Sequence, residues 1–351
     1  VERIDRRQGW RGPLLHLDPP DAKALKARLD ARRAEVEPEG AAGDAPPVVW
    51  DLSRFERAPR NAPLDTLLEL ARTPRFAPRT RLGGIVVAVE DGARRAVVSL
   101  GGPVTVVLPL RGDDGFDWAR PFSVKGWTAP PRRPSDVLEV GDVVLVTATE
   151  PAGDDPHRWR GRLEQLPLTQ AAVVVIDPAT REVRALSGGY GSGAGTFNRA
   201  VQARRQAGST FKPFVYTAAF ASRRFTPVSR CLDAAWVLRE SGRSWKPQNY
   251  GGTFDGDISL RRALTLSKNV CSVRLADGVG IDAVLDTARR LGIESPLPST
   301  LSLALGAGSV TPLEMVNAYA TLADGGRHAD PIFVKKVVAP DGEVLYQAEA
   351  K

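Results

Sequence analysis

Apolar positions along the chain follow three successive patterns. Over residues 22–36 Ala, Leu, Lys and Arg dominate behind Asp21, which predicts a capped helix; Leu and Ala at helical spacing predict a second helix over 64–72. Residues 37–47 between them are rich in Pro, Gly and Ala and read as a loop, so residues 1–80 look like a connector. From residue 81 to 168 short β-rich runs at 84–88, 96–100 and 104–108 are separated by Gly and Asp turns, and a strand at 137–140 leads through Gly141-Asp142 into another at 143–146. Five or so strands at this spacing predict a small barrel or sandwich, with an OB-like β-barrel among the options. The third pattern, over 169–351, opens with strands at 171–176 and 182–186 around a turn at 177–180. Helical segments then dominate 211–291, and a second hairpin at 333–338 and 343–346 turns at Pro340-Asp341-Gly342. No internal repeat and no low-complexity tract interrupts this order. The expected fold is multidomain: a connector, a small β-barrel and a mixed α/β unit.

Composition changes this picture little. A formal charge of +7 suits acidic surroundings such as an envelope or nucleic acid, but the arginines are dispersed and read equally well as scattered surface charge. No apolar run of about 18 residues occurs, so no bilayer span is expected. The opening Val1-Glu2-Arg3-Ile4-Asp5-Arg6-Arg7 lacks an initiator Met and an apolar stretch, so no signal peptide is expected and the chain reads as a piece whose membrane anchor lies upstream. Cys231 and Cys271 are too few for a disulfide scaffold and are expected as two unpaired buried thiols, although a single bridge is open to them in an oxidising compartment. His16, His157 and His328 lie far apart, so neither a zinc site nor a histidine-based triad is expected. A nucleophile here needs another base.

One stretch supplies such a base. In Gly208-Ser209-Thr210-Phe211-Lys212-Pro213-Phe214 the glycine permits a tight turn, and Pro213 is tolerated only in a first helical turn, which starts a helix at or near Ser209. Ser209 and Lys212 then share a helical face, about 5–6 Å apart at Cβ. Apolar neighbours and the positive helix end disfavour an ammonium, so Lys212 is expected to be neutral near pH 7 and able to take the serine proton. A Ser-x-x-Lys arises by chance about once in a chain of this length, so it carries weight only with a second element. Ser267-Lys268-Asn269 is that element: a hydroxyl and an amide on one short loop, fit to relay a proton and to hold a peptide. Lys268 is expected to be a bystander.

The sequence around both elements resembles the class A penicillin-binding proteins. Residues 171–189 (AAVVVIDPATREVRALSGG) look like the opening hairpin of their transpeptidase domain, and Phe197-Asn198-Arg199-Ala200, Arg205-Gln206 and residues 208–214 look like the approach to its nucleophile. Trp245, Pro247, Asn249 and Tyr250 (WKPQNY) resemble a substrate-cleft segment; Leu303-Ala304-Leu305-Gly306, Thr311-Pro312-Leu313-Glu314-Met315, Ala318-Tyr319 and Asp324-Gly325-Gly326 resemble later helical segments. Residues 137–142 and 163–167 are similar to the family's OB-like domain, and Arg6 to Pro13 (RRQGWRGP) to the exit from its glycosyltransferase domain. The resemblance implies an OB-like barrel over 81–168 and a serine transpeptidase or β-lactamase-like α/β (α+β) domain from 169 onward. It implies acyl transfer: Ser209 attacks a D-Ala–D-Ala stem peptide, Lys212 is its base, Ser267 passes a proton to the departing amine, Asn269 holds the donor, and Trp245, Asn249 and Tyr250 contact substrate. Peptidoglycan stem peptides and β-lactams are the implied ligands, envelope regulators the implied partners of the barrel, and the periplasmic face of the inner membrane the implied location. No metal and no cofactor is implied.

Two features of the family are missing from the sequence: a Lys-Thr/Ser-Gly motif and the Glu-Asp-x-x-Phe pattern of the glycosyltransferase. The chain is therefore expected to be a truncated piece, inactive by itself, of a protein that is also a glycosyltransferase. A serine β-lactamase or carboxypeptidase shares Ser-x-x-Lys and differs in delivering water, but such hydrolases lack the preceding connector and barrel. An OB-type nucleic-acid or protein-docking module is the reading from another class. Nucleic acid is not expected, because Phe116, Trp118, Phe122, Trp127 and Trp159 fall mostly in loop-like sequence rather than on strands where bases stack.

Overall fold

Strands form where Val, Ile and Thr recur in short runs bounded by turn residues. In the computed structural model, which describes residues 1–36, 46–59, 61–123, 128–191, 197–240 and 243–348, the chain forms two compact units, Val1–Thr169 and Gln170–Lys351.

In the first unit, strands β1 (Arg81–Glu90), β2 (Arg95–Ser99), β3 (Thr105–Pro109), β4 (Asp142–Pro151) and β5 (Arg158–Glu164) make a closed barrel. Pairing runs β4–β1–β2–β3–β5 and returns from β5 to β4, antiparallel throughout except β3 with β5. Val86, Val98, Val106, Leu108, Val144, Val146 and Leu163 fill its interior and are fully buried. The strand expected at 137–140 does not form: Pro134–Asp136 makes a 3₁₀ turn, and Gly141 at φ 101° redirects the chain into β4. The fifth strand is β5 instead. Its alternating Arg158, Arg160 and Arg162 hid it, because the inward positions include Gly161, where a Cβ would lie 2.5 Å from the Thr147 carbonyl oxygen. Residues 1–80 do more than connect. Helix α1 (Pro19–Val36) buries Leu25 and Leu29 with Trp50, Leu52, Phe55, Ile85, Val143 and Leu67 of helix α2 (Leu64–Leu70) in a second core of the same unit. The loop expected over 37–47 falls mostly outside the described residues, as does Trp127.

The second unit opens with the expected hairpin, β6 (Val173–Ile176) and β7 (Val183–Ser187). Arg181 at its turn is 1% exposed, and its guanidinium donates to the carbonyl of Arg327 and to Asn317 and Thr321 of helix α7 (Pro312–Ala323). Strand β8 (Arg205–Gln206) precedes helix α3 (Lys212–Ala221). Helices were expected to dominate the region that follows, yet strand β9 (Arg230–Asp233) pairs with β10 (Gly256–Ser259), and a short hairpin, Leu238–Glu240 with Arg243–Trp245, lies between them. Arg230 and Asp257 give this pair a loop-like composition, while Cys231, Asp233 and Ile258 are buried. Helices α4 (Leu260–Thr265), α5 (Asn269–Val279) and α6 (Ile281–Arg290) follow. Strand β11 (Ser309–Val310) pairs back to β8, and an exposed hairpin, Lys336–Val338 with Val344–Gln347, comes last. Phe211, Phe214, Val215, Ala219, Val273, Ala276, Val284 and Ala288 form the core between α3, α5 and α6. The cysteines, expected as unpaired thiols, are bridged: Cys231 on β9 to Cys271 on α5, with Cα atoms 5.9 Å apart. Among the described residues no helix is long and apolar enough to cross a membrane.

Candidate active site

Strand pairing fixes how the chain enters the Ser209 turn. Gln206 pairs with Ser309, the Ala207 N–H donates to the Gly308 carbonyl (3.2 Å), and the Gly208 N–H donates to that of Gly306 (3.2 Å). Gly306 sits at φ 75°, and a Cβ there would lie 2.1 Å from the Gly208 carbonyl oxygen, so the close approach requires glycine. Gly208–Phe211 forms one 3₁₀ turn, and the α-helix begins at Lys212 rather than at Ser209, with Pro213 in its first turn. A 3₁₀ turn eclipses positions three apart, so Lys212 stays on the face of Ser209. The Tyr319 hydroxyl holds the turn by donating to the Thr210 carbonyl (2.8 Å). Ser209 is exposed, whereas Lys212 is 1% exposed.

The second segment is a corner between α4 and α5. Ser259 caps α4 by accepting from the Arg262 N–H, and the helix ends where Ser267 takes φ 54°. That left-handed geometry is unusual for a residue with a Cβ and costs of order 1–3 kcal/mol. It turns both the carbonyl and the hydroxyl of Ser267 toward Lys212. The lysine Nζ lies 2.5 Å from the Ser267 carbonyl oxygen, 2.9 Å from Ser267 Oγ and 2.7 Å from Asn269 Oδ1. Lys212, Ser267 and Asn269, far apart in sequence, are thus one hydrogen-bonded group, with Ser209 on the turn that carries Lys212.

Burial pushes the Lys212 ammonium down to about 8. As a neutral amine it keeps two N–H donors. The Ser267 carbonyl and Asn269 Oδ1 can only accept, so they take both, which leaves the amine lone pair free to accept a proton.

Ser209, Ser267, Lys268 and Asn269 line an open cleft of about 690 Å³ with Asn249, Tyr250, Asp255, Arg262 and Leu266. Of the three expected substrate contacts, Tyr250 is fully exposed there. Trp245 instead packs against the apolar core. Asn249 is buried with its amide engaged inside the protein: Nδ2 donates to Asp233 and the Thr253 carbonyl, and Oδ1 accepts from the backbone N–H of Asn269 (2.8 Å) and Val270 (3.3 Å). Sequence reasoning missed Asp233, an isolated acid on a polar strand, and Tyr319, whose hydroxyl gives no sign of its target.

Comparison with known proteins places both units. Residues 171–351 match the family described as the penicillin binding protein transpeptidase domain, and residues 58–169 match the penicillin-binding protein OB-like domain. Penicillin-binding protein 1A of Pseudomonas aeruginosa is 36% identical over 279 residues, 78% of this chain and 31% of that protein. That of Neisseria gonorrhoeae is 43% identical over 196 residues, 55% of this chain and 24% of that protein. The chain spans less than a third of the length of these curated relatives. The crystal structure of penicillin-binding protein 1A from Haemophilus influenzae aligns over 100% of this chain and 43% of its own, with a TM-score of 0.68 at 24% identity, which speaks to the fold.

Proposed function

The chain belongs to the penicillin-binding protein transpeptidase family, and from that premise we propose that it forms the acylating site of a peptidoglycan D,D-transpeptidase with Ser209 as nucleophile. The observation that carries this reading is the buried Lys212 amine, shared by Ser267 and Asn269, on the turn that exposes Ser209. Ser209 Oγ attacks the penultimate D-Ala carbonyl of a stem peptide and gives its proton to neutral Lys212. That proton passes through Ser267 to the amine of the terminal D-Ala as the C–N bond breaks, leaving an ester on Ser209 and a neutral amine at Lys212. An amine of a second stem then attacks the ester, forms the cross-link and returns a proton to Ser209. A β-lactam meets the same nucleophile with its ring carbonyl and stays attached after the ring opens.

The donor lies along the cleft, with Tyr250 as its aromatic neighbour and, as its polar one, the N–H of Asn269 Nδ2 that is not given to the Gln248 carbonyl (2.8 Å). The substrate puts the site in the cell envelope, on the outer face of the cytoplasmic membrane. The disulfide agrees with such an oxidising compartment. Residues 1–351 by themselves should acylate slowly: the sequence holds no Lys-Thr/Ser-Gly to supply an oxyanion donor beside the backbone N–H of Ser209, and losing one such donor costs about two to three orders of magnitude.

The test is to incubate the full-length gene product with a stem pentapeptide ending in D-Ala–D-Ala and an acceptor amine. D-Ala should be released in step with cross-linked product and should respond to acceptor concentration. Release that yields only hydrolysed tetrapeptide at every acceptor concentration would make the protein a carboxypeptidase, and no release would remove the reading.

A further inference from the structure

Lys268 sits between Ser267 and Asn269, yet its side chain turns away from Lys212 into an acidic site. Its residue is 8% exposed, and its Nζ lies 2.8 Å from Asp255 Oδ1 and 3.2 Å from Asp233 Oδ2. Asp233 is wholly buried on β9. Its carboxylate also accepts from Asn249 Nδ2 (2.7 Å) and from the Asp255 N–H (2.9 Å). Burial alone would raise the Asp233 carboxyl; these hydrogen bonds and the Lys268 charge together hold it low. Asn249, so gripped, accepts the N–H groups of Asn269 and Val270. Asp233 therefore reaches the corner twice, through Lys268 and through Asn249.

We propose that the Lys268–Asp233 ion pair is a positioning device that holds Ser267 in its left-handed conformation and Asn269 against Lys212, so that Lys268 governs the acylation rate without touching a reacting atom. A buried carboxylate that loses its cation is left uncompensated and draws water or a proton into the site. Asn249 then loses its anchor, and Asn269 and Val270 lose their shared acceptor. Residue 268 is thereby not the bystander its position between two functional side chains suggests. The inference rests on the proposed acylation for its kinetic consequence and on geometry alone for its structural one.

Two measurements on the full-length protein separate these. Hydrogen exchange of the Asn269 and Val270 amides should accelerate more than tenfold in Lys268→Met, while amides of α7 stay within twofold. Stopped-flow acylation by a fluorescent penicillin should show the limiting rate falling tenfold or more with little change in the dissociation constant for penicillin, a split that general destabilisation does not produce. Lys268→Arg should recover most of both losses. Lys268→Met with Asp233→Asn should recover part of them, because the unpaired charge is gone while one of the two acceptor oxygens of residue 233 is lost. The proposal is overturned if Lys268→Met leaves exchange at Asn269 and Val270 unchanged, or if the double variant is as impaired as the single one. If the unaltered protein takes up no penicillin, the functional reading has failed, and the exchange comparison still decides the positioning claim.

Discussion

Lys212→Ala is expected to slow acylation of Ser209 by penicillin by about two to four orders of magnitude, the range that a positioned proton acceptor contributes. The reason is geometric as well as chemical. Among the described residues Lys212 is the one basic side chain bonded to both Ser267 and Asn269, and it is buried where an ammonium is disfavoured. With the ammonium pushed down to about 8, the competent neutral form grows as pH rises and saturates above that value. The unaltered protein should therefore acylate about tenfold faster for each unit by which the pH rises toward the midpoint, and level off above it. In Lys212→Ala the residual rate should lack that limb. Stopped-flow acylation between about pH 6 and about pH 10 reads both effects. A pH-independent rate in the unaltered protein, or a variant that keeps the limb, would mean that another group is the base.

Opening the Cys231–Cys271 bridge is expected to cost the second unit about 2–4 kcal/mol, the usual range for a natural disulfide. The bridge closes a sequence separation of 40 residues, and its loss frees the unfolded chain over that loop. For a unit of this size the midpoint of thermal unfolding should fall by on the order of 10 °C. The bridge also ties β9 to α5 two positions past Asn269, so the corner holding Ser267 should loosen first. Because residues 1–351 contain two cysteines, urea unfolding of this chain with and without reductant isolates this effect. Superimposable curves would show that the bridge contributes nothing to stability.

How much could be read beforehand follows the range of each signal. Ser209 with Lys212, and Ser267 with Asn269, are short local patterns, and a serine three residues before a lysine at a helix start already states its geometry. The first three barrel strands were readable because Val and Ile recur within Gly-bounded runs. Strand β5 was not, because its outward positions are arginines and one inward position is a glycine required by the Thr147 carbonyl. The β9–β10 pair was hidden for a related reason: Cys231 and Asp233 point inward while Leu232 between them is exposed, and neither looks like a core residue. Asp233, Asn249 and Lys268 meet only through the fold. Nothing in residues 230–233 announces a cation from the loop before α5, and nothing in the spacing of the cysteines announces their pairing. Trp245 was misleading in the other direction, since a tryptophan beside a cleft motif also serves the core.

The proposed acyl transfer requires Ser209 to carry the acylated oxygen. Intact mass and peptide mapping of the full-length protein after exposure to a penicillin test that most directly. One adduct is expected, on the peptide containing Ser209, and it should vanish in Ser209→Ala, which keeps the Gly208–Phe211 turn and the Lys212 bonds to Ser267 and Asn269. An adduct that persists in Ser209→Ala, or maps to Ser267, would contradict the assignment of the nucleophile.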